Sequence, residues 1–176
     1  MAQWEYFSSG EKLNGSEQKE KTKAFVQTYI LPYLKISKDC GINNEKQCKT
    51  VKICNNSSKT YCLNFVSNGA YYFITPDASY TIMPDNNTGV TKSTMIVKIN
   101  LDGNSKPNFY GRDVFWGFIV PEKHRFEFIG ADLGYTRDEM LNNTSTWGCN
   151  KVSNTKHYCA AIIQIDGWEI KDDYPW

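Results

Sequence analysis

The six cysteines constrain the fold of this chain more than any other feature of its sequence. They are Cys40, Cys48, Cys54, Cys62, Cys149 and Cys159. The even count, the local clustering and the lack of a Cys-x-x-Cys pair favour disulfides over a structural zinc site. Many pairings are possible, and short loops favour the sequential one. The pair Cys149–Cys159 is the best determined, because no other cysteine lies near it in the sequence.

Disulfides predict an oxidising, extracytoplasmic compartment for the protein. Six reduced cysteines in a cytosolic protein are the alternative. No apolar run reaches the roughly 18 residues that span a bilayer, and no charged-then-apolar signal segment opens the chain. The sequence therefore predicts a soluble chain, or one from which an anchor or export signal has been removed.

Size and composition favour a single folded domain over residues 1–176. Hydrophobic residues make up 40% of the chain and aromatic residues 14%, which excludes a disordered composition. Lys and Arg total 20 against 19 Asp and Glu, so the formal charge is +1. This balance argues against nucleic acid as the main partner.

The spacing of apolar residues divides the chain into four parts. Residues 1–23 are a polar segment that leads into a helix, and apolar residues at helical spacing predict a helix over 24–41, with a kink or break at Pro32. Alternating apolar residues predict an antiparallel sheet over 60–130. Residues 149–176 hold a cysteine-closed loop, a terminal strand and a tail. The predicted fold class is α+β, with the N-terminal helix packed on an antiparallel meander.

Seven segments carry the strand signal. They are residues 60–66, 70–75, 79–83, 93–100, 114–120, 124–130 and, as the terminal strand, 158–167. The first two flank Ser67-Asn68-Gly69, a turn sequence that predicts a β-hairpin.

Enzyme motifs are absent from the sequence. It has no Gly-x-Ser-x-Gly elbow, no His-Glu-x-x-His and no glycine-rich phosphate loop. We interpret His124 and His157 as solvated loop residues. Two groups of carboxylates, around Asp132 and around Asp166, are interpreted as solvated surface groups. The sequence therefore predicts a protein without enzymatic activity.

The stretch "NLDGNSKPNFYGRDVFWGFI" at residues 100–119 is a candidate calcium loop. Counted from Asp102, Asp102 and Asn104 fit an EF-hand, but Asp113 stands where that loop needs glutamate, and the flanks read as strands. An irregular oxygen cage of Asp102, Asn104 and Asp113 is the alternative to a plain turn between two strands, which we favour. We thus predict no cofactor, with calcium at these residues as the minority hypothesis.

Three stretches together resemble a known family. They are "AFVQTYILPYLKISKDCG" (24–41), "VKINLDGNSKPNFYGRDVFWGFI" (97–119) and "CAAIIQIDGWEIKDDYPW" (159–176). In this order and spacing they are similar to bacterial prepilin-type proteins, the type IV pilins and the pseudopilins of type II secretion.

The resemblance implies a pilin-like head with a cysteine-closed loop, here Cys149 to Cys159. It implies a non-enzymatic structural subunit of a filament, with other pilin or pseudopilin subunits as partners. The full-length form would lie in the cell envelope or at the cell surface, anchored in the membrane by an apolar N-terminal helix that this sequence lacks. Some pseudopilins bind calcium in a loop of the sheet, which is consistent with the site at Asp102.

The alternative function is a secreted ligand- or carbohydrate-binding β-rich module. It would use Tyr71, Tyr72 and Trp116 as an aromatic platform. Adjacent residues of a strand point to opposite faces of the sheet, so the pairing of Tyr71 with Tyr72 counts against this platform.

Overall fold

A computed structural model describes residues 15–55, 61–85, 95–103, 108–120 and 125–176. In this part of the chain β-structure predominates, as one antiparallel sheet of six strands and a second sheet of three strands. The helices are short, and two of them lie in the C-terminal part.

The large sheet has the strand order β1-β4-β5-β6-β8-β9, and each neighbouring pair is antiparallel. Its strands are β1 (Lys38–Ile42), β4 (Tyr71–Ile74), β5 (Ser79–Pro84), β6 (Met95–Asn100), β8 (Val114–Val120) and β9 (Arg125–Phe128). These strands are rich in β-branched and aromatic residues, which pack well on a pleated surface. At the centre, Lys98 of β6 lies opposite Trp116 of β8.

The small sheet has the order β3-β2-β7, with β2 at Lys52–Cys54, β3 at Cys62–Asn64 and β7 at Asn108–Phe109. β2 and β3 are antiparallel, and their facing residues Cys54 and Cys62 are joined by a disulfide. β2 and β7 are parallel. The small sheet therefore joins segments that are far apart in the sequence.

Helix α1 (Gly15–Tyr29) packs one face against the large sheet. Phe25 and Val26 are buried there in a cluster with Tyr71 and Phe73. A 3₁₀ turn at Leu31–Tyr33 follows, because proline at its start removes a backbone donor and ends the α-helix.

The C-terminal part contains α2 (Arg137–Asn142) and α3 (Cys159–Ile165). Thr136 and Glu139 form a capping box at the start of α2, in which the Thr136 backbone N–H donates to Glu139 Oε2 at 2.7 Å. Both helices contribute to a core with β9 whose members include Phe128, Met140 and Ile162.

The predicted fold class, an α+β pilin-like head with a helix packed on a meander, is wrong. Across the described residues β-structure predominates and the helices are short, and β2, β3 and β7 leave the order of a meander to form a sheet of their own. The helix predicted over 24–41 already ends at Tyr29, and Lys38–Ile42 is a strand instead. The break predicted at Pro32 is present as the 3₁₀ turn, and pairing of Lys38–Ile42 with β4 accounts for the strand in the second half of the predicted helix.

Two local predictions also fail. The hairpin around Ser67-Asn68-Gly69 does not form, because β3 pairs with β2 while β4 pairs with β1 and β5. The predicted terminal strand at 158–167 is helix α3. Periodicity does not distinguish a short buried helix from a buried strand, and Ala160 and Ala161 have high helix propensity.

All six cysteines are paired, and the pairing is sequential. The Cα–Cα distances are 5.7 Å for Cys40–Cys48, 4.0 Å for Cys54–Cys62 and 4.8 Å for Cys149–Cys159. Three disulfides indicate an oxidising, extracytoplasmic environment. Across the described ranges, no helix combines the length and the apolar character needed to cross a membrane.

Candidate functional site

A cleft of about 500 Å³ lies where the large sheet, the small sheet and the loop closed by Cys149–Cys159 come together. We call it the Lys98 cleft. Its lining includes Ser67, Lys98, Tyr110, Trp116, Thr155 and His157. A second, more open cleft of about 410 Å³ adjoins it and shares Asn64, Val66, Ser67 and Asn68. The first cleft has the size of an ordinary small-molecule site.

Among the described residues of this lining Lys98 is the only charged one, and it is 5% exposed. Its Nζ donates a hydrogen bond to Ser67 Oγ at 2.8 Å and lies 5.3 Å from the centre of the Trp116 ring. Lys98 forms no ion pair with a carboxylate of any described residue. Burial lowers the pKa of Lys98 to about 8, because the charged form loses hydration.

Aromatic rings form the inner wall of the cleft. The rings of Trp116 and His157 stack with their centres 4.5 Å apart, and Tyr110 meets both of them edge-on. Trp116 Nε1 and His157 Nδ1 are buried and have no hydrogen-bond partner within the described part of the chain. Each is a polar group left unsatisfied by the protein.

His157 is buried and electrically neutral. Burial and, to a smaller extent, the charge of Lys98 lower the pKa of His157 to about 3. The interpretation of His157 as a solvated loop residue is therefore wrong, since its side chain is enclosed by Trp116 and Tyr110. His124 lies outside the described residues.

A second arrangement of charged residues holds the C-terminal segment. Arg137 Nε donates to Asp166 Oδ1 at 2.8 Å, and Arg137 Nη1 donates to Asp173 Oδ2 at 2.9 Å. Lys171 Nζ donates to Asp166 Oδ1 at 2.8 Å. We call these four residues the Arg137 clamp. Hydrogen bonds from Arg137, and then from Lys171, lower the pKa of Asp166 to about 2, and the two carboxylates raise the pKa of Arg137. Asp166 is thus an ion-pair residue, which corrects its interpretation as a solvated surface group.

The last residues of the chain are packed against the protein. The Tyr174 hydroxyl donates to the Gly111 carbonyl, and the Trp176 ring lies 5.8 Å from the Phe109 ring. Arg112 lies over the faces of both Phe109 and Trp176.

From the last residue of α3 to the packed tail, three large apolar side chains face solvent. They are Ile165, Trp168 and Ile170, which are 50%, 66% and 70% exposed. We call them the C-terminal apolar surface. The Arg137 clamp encloses two of them, because Asp166 lies before Trp168 and Lys171 lies after Ile170.

The candidate calcium ligands are only partly described. The carboxylate of Asp113 accepts a hydrogen bond from the Phe109 backbone N–H at 3.0 Å and pairs with Arg112 at 2.9 Å. Asp102 lies in the turn after β6, where its backbone N–H donates to Asn100 Oδ1. Asn104 lies outside the described residues. Among the residues that are described, no group of three or more His, Cys, Asp or Glu could hold a metal ion. Calcium binding stays an untested prediction.

The aromatic platform suggested for a carbohydrate-binding module does not form. Tyr71 and Tyr72 are buried, at 0% and 2% exposure. Their hydroxyls donate to Asp39 Oδ1 and to the Lys49 carbonyl, which fixes both rings inside the protein. A ligand cannot stack on either ring.

The family comparison covers the entire chain. Residues 1–176 match a profile described as a family of unknown function, DUF6613. The chain belongs to this family. No curated protein and no solved structure matches it.

Neither Lys98 nor Ser67 was predicted from the sequence as a site residue. The sequence does contain a signal for Lys98, because this lysine interrupts the apolar strand "MIVKIN". Lysine is rarely buried in a protein unless it has a partner. No comparable signal marks Ser67, since serine is common in turns.

Proposed function

We propose that this DUF6613 protein is a non-enzymatic structural subunit of an extracytoplasmic filament of the type IV pilus or type II secretion pseudopilus kind. Its partners are other subunits of the same filament. The full-length subunit is held at the cell envelope by an apolar N-terminal helix. The motifs at residues 24–41, 97–119 and 159–176 that resemble prepilin-type proteins support this proposal.

The C-terminal apolar surface is the observation that carries the proposal. Exposed apolar side chains grouped on one face are typical of protein interaction sites, and tryptophan is enriched among the residues that dominate binding energy. Here Ile165, Trp168 and Ile170 are each exposed and lie close together in the sequence, and the Arg137 clamp holds the stretch that contains Trp168 and Ile170. A segment ordered before binding loses less conformational entropy when a neighbouring subunit covers it.

Charge is compatible with close packing of many copies. The formal charge is +1, so neighbouring subunits experience little net repulsion. Disulfides stabilise small extracytoplasmic domains, and three of them suit a subunit exposed outside the cell.

Cross-linking in the cells that produce the protein tests the proposal. We expect the wild-type chain to give a ladder of multiples of its own mass, together with heteromeric products. The double variant Trp168→Ala/Ile170→Ala should lose most of the ladder at unchanged protein level. Val152→Ala is the matched control, because Val152 is 74% exposed but lies outside the C-terminal apolar surface. Absence of a wild-type ladder, or a ladder unaffected by the double substitution, would contradict the proposal.

The second candidate function is an extracytoplasmic ligand-binding module, and the Lys98 cleft favours it. A buried cation without a carboxylate partner, in a cleft of small-molecule size, is typical of a binding site.

A further inference from the structure

We propose that the Lys98 cleft is a binding site for a small hydroxylated carboxylate, of the class of the sugar acids. The inference deepens the ligand-binding candidate and is independent of filament assembly. It rests on the hydrogen-bond donors, the charge and the shape of the cleft.

Lys98 and Ser67, which line the cleft, keep hydrogen-bond donors that are not used within the described part of the chain. Lys98 uses one of its three N–H groups on Ser67 Oγ. Because the Ser67 oxygen accepts that bond, its hydroxyl proton is left to donate to a different acceptor. Trp116 Nε1 is buried without an acceptor in the described part of the chain. An acceptor-only group such as a carboxylate can accept hydrogen bonds from Lys98 and Ser67 together.

The charge of the cleft selects a monoanion. The lining residues that the structure describes include one lysine and no aspartate or glutamate. His157 adds no charge at neutral pH, because burial lowers its pKa to about 3. Lys98 keeps its proton at pH 7, since its pKa is about 8. One buried positive charge balances one carboxylate, whereas a phosphate dianion would leave a negative charge uncompensated.

In its protonated state Lys98 donates a hydrogen bond to Ser67 Oγ, which leaves its other N–H groups and the Ser67 hydroxyl proton to donate to a ligand. The protonated pair therefore suits an anion.

The walls and the rim define the rest of the ligand. The rings of Trp116 and His157 are stacked on each other, so one face of each ring is already covered. Asn64 and Asn68 lie at the rim with exposed side chains, and Thr155 adds a hydroxyl to the lining. Amides and hydroxyls both donate and accept, which suits the hydroxyl groups of a sugar acid.

Nuclear magnetic resonance of the ¹⁵N-labelled chain tests this inference with D-galacturonate as the probe and D-galactose as its neutral counterpart. Both titrations use the same ionic strength, set with sodium chloride. The indole N–H resonance of Trp116, assigned with Trp116→Phe, should shift in a saturable manner with galacturonate. Galactose should leave it in place.

Three variants identify the groups that bind. Lys98→Met keeps the length of the side chain but removes the charge, and should weaken galacturonate binding about tenfold or more. Ser67→Ala should weaken it several-fold. Lys52→Met is the control, because Lys52 is an exposed lysine on β2, and it should bind as the wild type does. The amide spectrum of each variant shows whether the sheets are intact.

Three results would overturn the inference. They are no shift with galacturonate, equal shifts with galacturonate and galactose, and a galacturonate shift that persists in Lys98→Met. None of these results bears on cross-linking at the C-terminal apolar surface, so the two proposals fail independently.

Discussion

Lys98 and Arg137 are two cations in opposite surroundings. Arg137 contacts Asp166 and Asp173, and these carboxylates raise its pKa. Lys98 is buried beside Ser67 and Trp116, and burial lowers its pKa to about 8. A paired cation holds parts of the chain together, whereas an unpaired buried cation reduces stability unless a ligand compensates it. Arg137 is therefore a structural charge, whereas the charge of Lys98 is available for binding.

The largest expected effect comes from the disulfide that connects both regions. The loop closed by Cys149–Cys159 supplies Thr155 and His157 to the Lys98 cleft, and α3, which starts at Cys159, leads to Asp166. The double variant Cys149→Ser/Cys159→Ser should lower the free energy of unfolding by about 2–5 kcal/mol. Denaturant titration measures the loss. An unchanged midpoint would show that neither region depends on this link.

Removing the Lys98 charge should stabilise the protein. The pKa of Lys98 is about 8 in the folded state and 10.5 ordinarily, so the unfolded chain binds more protons between these values. The free energy of unfolding should therefore rise as the pH increases from 8 to 10.5. At pH 7 the buried charge of Lys98 therefore lowers the free energy of unfolding by about 3 kcal/mol, at 1.36 kcal/mol per pKa unit.

Lys98→Met should be more stable than the wild type at pH 7, and the difference should shrink toward pH 10.5. Denaturant titrations at several pH values give the difference between the two proteins, in which the titration of tyrosines cancels. A wild type that is more stable than Lys98→Met at pH 7 would show that Lys98 has a compensating partner.

His157 should destabilise the protein in acid. Its pKa is about 3 in the folded state and 6.5 ordinarily, so the unfolded chain binds an extra proton in this window. The free energy of unfolding should fall as the pH decreases from 6.5 to 3, by about 2 kcal/mol at pH 5.

His157→Phe keeps a ring against Trp116 and removes the titration. The difference in unfolding free energy between this variant and the wild type should be constant above pH 6.5 and should change below it. A difference that is also constant between pH 6.5 and 4 would place His157 in contact with water.

Removing the contacts of the Arg137 clamp should lower the free energy of unfolding by a smaller amount. Arg137→Ala removes the partner of Asp166 and Asp173 and should lower the free energy of unfolding by about 1–2 kcal/mol. Lys171→Ala removes only an exposed contact with Asp166 and should cost less than about 1 kcal/mol. Thermal unfolding compares the two variants. A larger loss of stability in Lys171→Ala than in Arg137→Ala would show that Lys171, and not Arg137, is the main partner of Asp166.

Local sequence patterns predicted the strands better than their arrangement. The predicted strands at 70–75, 79–83, 93–100 and 114–120 overlap β4, β5, β6 and β8, because alternation and β-branched residues are local signals. The second sheet was missed. Its parallel pair joins Ile53 to Asn108, and no local pattern specifies a partner so distant in the sequence.

Local patterns did not predict the candidate site either, because its residues are distant in the sequence. Cysteine spacing pointed to short disulfide loops, and the structure has three of them. The Lys98 cleft draws Ser67, Lys98 and His157 from three separate segments, so only tertiary packing brings them together. The Arg137 clamp likewise joins α2 to residues 29 and 36 positions away.

The sequential disulfides have a consequence for limited proteolysis. With Cys40–Cys48, Cys54–Cys62 and Cys149–Cys159 as the cross-links, no covalent bond other than the backbone connects the chain before Cys62 with the chain after Cys149. One backbone cut between these two cysteines yields two fragments that separate on a denaturing gel without reductant. Before denaturation, strand pairing across the large sheet, such as that of β6 with β8, is what holds such fragments together.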